Sequence, residues 1–122
     1  MGAGGRHVLI IEDEMLIALE IEVLLSELGF RSFDFVDTPA RAAAAATAHR
    51  PDLLTADYRI VDGTGVEAVA GVWSAIGRVP VVYVTGNAEF VERHSALPVV
   101  DKPIQASALA AACRRALAFS PD

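Results

Sequence analysis

Five short apolar runs, each followed by a stretch of helical character, constrain this chain more than any other feature of its 122 residues. The first run, His7 to Ile11 (HVLII), has no polar break, as a strand covered on both faces requires. It ends in Glu12-Asp13-Glu14, and from Met15 to Leu28 the period becomes helical. Ile17, Ile21, Leu24 and Leu28 mark one face, Glu20, Glu22 and Glu27 another, and Gly29 stops the helix. Phe30 to Val36 alternates like a strand. Thr38-Pro39 supplies an N-cap and a proline at the first helical position, and the alanine run 42–46 carries a plain surface helix to about Arg50.

Asp52 to Ala56 is the third strand, leading to Asp57, and a turn-rich loop holds Asp62-Gly63-Thr64-Gly65. Val66 to Ile76 reads as a helix with Val69, Val72, Trp73 and Ile76 as its stripe. Pro80 to Thr85 is a fourth buried strand, and Gly86 to Ala96 is weakly patterned, so the fourth helix is expected to be short or disordered. Leu97 to Val100 is the fifth strand, and Ile104 to Phe119 the last helix, with Leu109, Ala112, Cys113, Ala116 and Leu117 inward. Strand and helix in alternation imply a parallel sheet with helices on both faces. The expected fold is α/β, a flavodoxin-like (βα)5 three-layer sandwich with strand order 2-1-3-4-5. No linker or repeat interrupts it, so residues 1–122 are expected to form a single domain with its core at about 6–119 and no output domain.

Composition excludes several functions. The net charge of −6, with no basic run longer than Arg114-Arg115, argues against nucleic acid. No apolar stretch is long enough to span a bilayer, and the residues 1–5 lack the core of a signal peptide, so a cytoplasmic location and no membrane partner are expected. Cys113 alone cannot close an internal disulfide and reads as a small apolar residue on a helix face. His7, His49 and His94 lack the spacing of a metal site, so none is expected there. Trp73 and Phe119 read as core or docking residues.

Ligands of an open parallel sheet bind at the carboxyl ends of its strands. Here those ends carry Glu12 and Asp13, Asp57, Thr85 and Lys102. Carboxylates about 4 Å apart repel by roughly 4 kcal/mol at an effective dielectric of 20. A hard divalent cation removes that conflict, which makes Glu12, Asp13 and Asp57 a candidate Mg²⁺ site. Lys102 could neutralise a phosphoryl group, with Pro103 restricting its backbone, and the Thr85 hydroxyl before Gly86 could donate to an anion.

In order and at these strand ends, Glu12-Asp13, Asp57, Thr85 and Lys102-Pro103 resemble the site of response-regulator receiver domains of two-component signalling, of the chemotaxis-regulator type. The resemblance covers about Arg6 to Phe119. It implies that Asp57 is the phosphoacceptor, that Asp13, Asp57 and the Arg59 backbone carbonyl bind Mg²⁺ with help from Glu12, and that Thr85 and Lys102 contact phosphoryl oxygens. It also implies a histidine kinase or phosphotransfer protein as donor, a downstream protein as target, and leaves a homodimer open. On this reading the protein is not an enzyme beyond catalysing its own phosphorylation and dephosphorylation.

The chain departs from that family in three places. The loop after Asp57 lacks the usual proline, the segment between Thr85 and Lys102 is short, and Val99 stands where an aromatic switch residue is usual. Tyr83-Val84-Thr85-Gly86 resembles an atypical subgroup named for a Phe-Ala-Thr-Gly motif, in which the fourth-helix region is mobile, and phosphorylation is then expected to order Gly86 to Ala96. Arg59 and Asn87 are expected to flank the phosphoryl site. The competing readings are a receiver-like interaction scaffold that takes no phosphate, an aspartate-nucleophile phosphohydrolase and a flavin-binding flavodoxin-like protein. The second needs Asp-x-Asp after the first strand, where Glu12-Asp13-Glu14 stands, and the third needs a Gly- or hydroxyl-rich loop there.

Overall fold

The computed structural model describes residues 6–93 and 97–118. Five parallel strands form the main sheet: β1 (His7–Ile11), β2 (Ser32–Val36), β3 (Leu53–Ala56), β6 (Val81–Thr85) and β7 (Val99–Asp101). A small antiparallel hairpin, β4 (Arg59–Ile60) with β5 (Gly63–Thr64), lies between β3 and the third helix. The sheet order is β2-β1-β3-β6-β7, which is 2-1-3-4-5 once the hairpin is set aside. The expected fold is therefore the one observed.

Helices α1 (Met15–Glu27) and α5 (Ala106–Ala118) cover one face, and α2 (Pro39–Ala48) and α3 (Gly65–Ile76) the other. Alternation along β1 feeds both cores: Val8 and Ile10 pack on the α1/α5 side, Leu9 and Ile11 on the α2/α3 side. At about 25 cal/mol per Å² of apolar area, each such side chain contributes on the order of 2 kcal/mol of burial free energy.

On α1 the inward face is centred on Ala18, Ile21 and Leu25, with Ile17 and Leu24 only partly buried. Leu28, expected inward, is exposed because the helix ends before it and Leu28 serves as the C-cap. Gly29 then takes φ +105, its N–H donates to Ser26 O and the Phe30 N–H donates to Leu25 O. That pair of bonds is the Schellman motif, and a left-handed residue at this point favours glycine.

Thr38 caps α2 as its sequence implies, its Oγ1 accepting the Arg41 N–H at 3.1 Å. The alanine run is more than a surface helix, since Ala42 and Ala46 are buried and α2 packs on α3. Small side chains let the two helices approach closely: a Cβ at Gly71 would stand 4.0 Å from the Ala43 Cβ. The hairpin turns at Asp62, which holds φ +62, and α3 opens with a capping box between Thr64 and Glu67. Helix α4 (Ala88–Arg93) has six residues, so it is short as expected.

The histidines depart from expectation. His7 and His49 stack with ring centroids 3.6 Å apart, because the start of β1 and the end of α2 meet at one edge of the sheet. Their separation along the chain concealed this. His94 and Phe119 lie outside the described residues. Cys113 is buried in the α1/α5 core, where burial pushes its thiol up to about 11. Trp73 is partly buried, donates Nε1–H to Val79 O at 3.0 Å and carries the Arg78 guanidinium over its ring. Among the described residues, no helix is long and apolar enough to cross a membrane.

Candidate functional site

Parallel pairing brings the strand tips together at one edge. Ile11 pairs with Ala56, and Thr85 with Asp101. The Asp57 N–H donates to Ile11 O at 3.0 Å, extending the β1–β3 ladder one residue past the strands. Glu12 and Asp57 are thereby held as neighbours. Lys102 follows β7, and its N–H donates to Thr85 O at 3.3 Å. Its peptide bond to Pro103 is cis.

One ammonium serves several acids. Lys102 Nζ lies 3.0 Å from Asp57 Oδ2, 3.2 Å from Glu12 Oε1 and 3.5 Å from Glu14 Oε1. The other Asp57 oxygen accepts the Tyr58 N–H at 2.7 Å, and the other Glu12 oxygen accepts the Glu14 N–H at 3.2 Å. Glu12 is buried, whereas Asp13 is exposed and Asp57 is in between. Oxygens of Glu12, Asp13 and Asp57 all lie within 4.8 Å of one another. Burial and then the negative charge of Asp57 push the Glu12 carboxyl up to about 7, against partial relief from the Glu14 N–H and Lys102. Burial alone would lower the Lys102 pKa, but its bond to Asp57 and the charges of Glu12 and Asp57 outweigh that and raise it. The cluster carries more negative charge than one ammonium offsets, and its donors are all oxygens, which fits a hard divalent cation.

Asp57, Arg59, Thr85, Gly86 and Asn87 line an open depression of about 300 Å³ beside this cluster. All the strand-end residues singled out from the sequence thus meet at one edge, with Arg59 and Asn87 beside them. Arg59 pairs with Thr64 across the hairpin, and the flanking bond runs from the Gly65 N–H to Tyr58 O at 2.7 Å. In that pattern the ladder does not use the Arg59 carbonyl.

Sequence reasoning passed over Gly65, Glu14 and Phe90 here, and it placed Asn87 beside the site without its tie to Thr85. Gly65 was read only as part of a loop, yet a Cβ on it would collide with the Asp57 carbonyl oxygen. Glu14 joins the Lys102 ion pairs. Asn87 donates its N–H to Thr85 Oγ1 at 3.1 Å and accepts the Phe90 N–H on Oδ1 at 2.9 Å, tying the Thr85 hydroxyl to the first turn of α4. Asparagine before a short helix is a readable capping signal. Phe90 is buried, with its ring 4.9 Å from that of Tyr58 and 5.0 Å from that of Tyr83. An aromatic contact absent at Val99 is therefore made from α4, against the neighbour of Asp57. No local pattern announces that placement.

Fold and strand-tip geometry together define a class, and comparison agrees with it. Residues 8–114 match the family model described as the response regulator receiver domain, and the chain belongs to that family. It is 35% identical over 120 residues to the phyllosphere-induced regulator PhyR of Methylorubrum extorquens, covering 94% of this chain and 45% of PhyR. The chain thus spans about half the length of the curated relatives it matches first. The solution structure of the PhyR receiver domain from Erythrobacter litoralis superposes with a TM-score of 0.84 at 31% identity, covering 98% of this chain and 95% of that one. The receiver domain of a sensor histidine kinase from Pseudomonas aeruginosa, described with a magnesium ion coordinated in its active-site cleft, shares the fold at 24% identity, with a TM-score of 0.78 and coverage of 93% and 98%. The chain is a receiver domain of two-component signalling.

Proposed function

We propose that this receiver takes a phosphoryl group on Asp57 from the phosphohistidine of a kinase or phosphotransfer protein, and that the modified site changes how a downstream protein binds. The observation that carries the reading is the partly buried Asp57 carboxylate, held by Tyr58 N–H and Lys102 Nζ and crowded by Glu12 and Asp13. An Asp57 oxygen attacks phosphorus, the phosphorus–nitrogen bond to the donor imidazole breaks, and the imidazole leaves with that electron pair. Asp13, Asp57 and the Arg59 carbonyl, with help from Glu12, would hold a Mg²⁺ ion, which would supply positive charge to the carboxylates and the phosphoryl oxygens.

Lys102 starts from ion pairs with Glu12 and Asp57 and follows the charge onto a phosphoryl oxygen. The Thr85 oxygen accepts a bond from Asn87, which leaves its own proton free to donate to the same group. Turning that hydroxyl toward phosphate loosens its tie to Asn87 and hence to α4, which gives the modified state a route to the 86–93 surface.

Intact-mass analysis after treatment with acetyl phosphate and Mg²⁺ tests the reading. One added phosphoryl group is expected on the native chain and none on Asp57→Asn. A native chain that stays unmodified, or an Asp57→Asn chain that is modified equally, rejects it.

A further inference from the structure

We propose that His7, Asp34 and His49 form a second metal site, for a borderline ion of the Zn²⁺ class, at the edge of the sheet away from Asp57. His7 opens β1, Asp34 stands on β2 and His49 directly follows α2. The acid cluster follows the other end of β1, about 16 Å along the strand at ~3.3 Å per residue. One ligand atom from each of the three residues lies within 4.8 Å of the others.

The distances suit the chemistry. His7 Nε2 is 3.0 Å and His49 Nδ1 is 3.9 Å from the same Asp34 oxygen. Ligands at roughly 2.0–2.1 Å from a tetrahedral Zn²⁺ stand about 3.3 Å apart, so the two spacings bracket the required one. The buried His7 ring is already aimed: its other nitrogen lies 2.7 Å from Ser32 Oγ, and its backbone N–H donates to Asp52 Oδ2 at 2.7 Å. A partner on the second ring nitrogen is what orients a metal-binding imidazole. Two imidazoles and one carboxylate favour a borderline transition ion over Mg²⁺, which prefers oxygen.

One movement is needed. The His7 and His49 rings are stacked 16° from parallel, and an ion cannot lie in both ring planes until one ring turns. His49 is the one that turns, because its side chain is 57% exposed and its backbone has left the helix. Asp34 is also partly open, which provides a path for the ion, and water completes the coordination. Bound there, the ion joins β1, β2 and the end of α2.

Calorimetric titration of the full chain with Zn²⁺, in excess Mg²⁺ to occupy the acid cluster, decides the matter. One Zn²⁺ per chain is expected, weakened at least tenfold in His49→Ala and in Asp34→Asn, both partly exposed positions, and unchanged in Asp57→Asn. Nitrogen NMR of the imidazoles should show His7 Nε2 and His49 Nδ1 moving together as Zn²⁺ is added. Absence of binding overturns the proposal, as does equal affinity in His49→Ala or loss of binding in Asp57→Asn, which would put the ion elsewhere.

Discussion

The two ends of β1 handle charge differently. Past its carboxyl end, Glu12, Asp57 and Glu14 gather around the single Lys102 ammonium with Asp13 close to Glu12 and Asp57, and Glu12 resists ionising. At its amino end, His7 has a partner for each ring nitrogen, and one carboxylate faces two imidazoles. The first cluster stores repulsion that a hard cation or a transferred phosphoryl group can redistribute. The second is nearly balanced, and only a ligand suited to nitrogen gains by entering it. One strand thus supports two sites of different donor hardness that need not compete.

The largest expected effect separates them outright. Asp57→Asn should abolish phosphorylation by acetyl phosphate, while His49→Ala should leave its extent unchanged, both read by intact mass. If His49→Ala also abolished it, the two ends would not be independent. Next in size, Lys102→Ala should slow phosphorylation by roughly 100-fold, as removal of one stabilising donor does elsewhere. The same change leaves Glu12 and Asp57 without their shared cation, so urea denaturation without Mg²⁺ should show a loss of about 2 kcal/mol. Added Mg²⁺ should restore part of that stability.

Glu12 sharpens the contrast through pH. Its folded pKa near 7 exceeds the ordinary 4.5, so it favours the folded state when protonated. That contribution is complete below about 4.5 and disappears as pH rises through about 7. The metal-free chain should therefore lose on the order of 2–3 kcal/mol across that interval, and Glu12→Gln should flatten the profile. The raised Lys102 pKa leaves its own contribution intact there, because that is lost only above the ordinary 10.5. A profile unaltered by Glu12→Gln would show that the carboxylate repulsion is already relieved.

Gly65→Ala should destabilise by about 2 kcal/mol, since its Cβ collides with the Asp57 carbonyl and the hairpin must shift. The smallest effect is expected at Asn87→Ala, about 1 kcal/mol, measured as faster amide exchange in 88–93 with the rest of the chain unchanged.

By itself the sequence determined the layer order and the acid edge. Unbroken apolar runs such as 7–11 can only be central strands, and a parallel sheet sends every strand end to the same side. Glu12, Asp57, Thr85 and Lys102 therefore had to meet, without any knowledge of distances. Only the tertiary structure decided which long-range neighbours share a surface. The stack of His7 on His49, the seat of Phe90 between Tyr58 and Tyr83, and the close pass of Gly65 over Asp57 depend on where α2, α4 and the hairpin come to rest. Those positions follow from packing between distant segments, and packing leaves no period in the chain to be read.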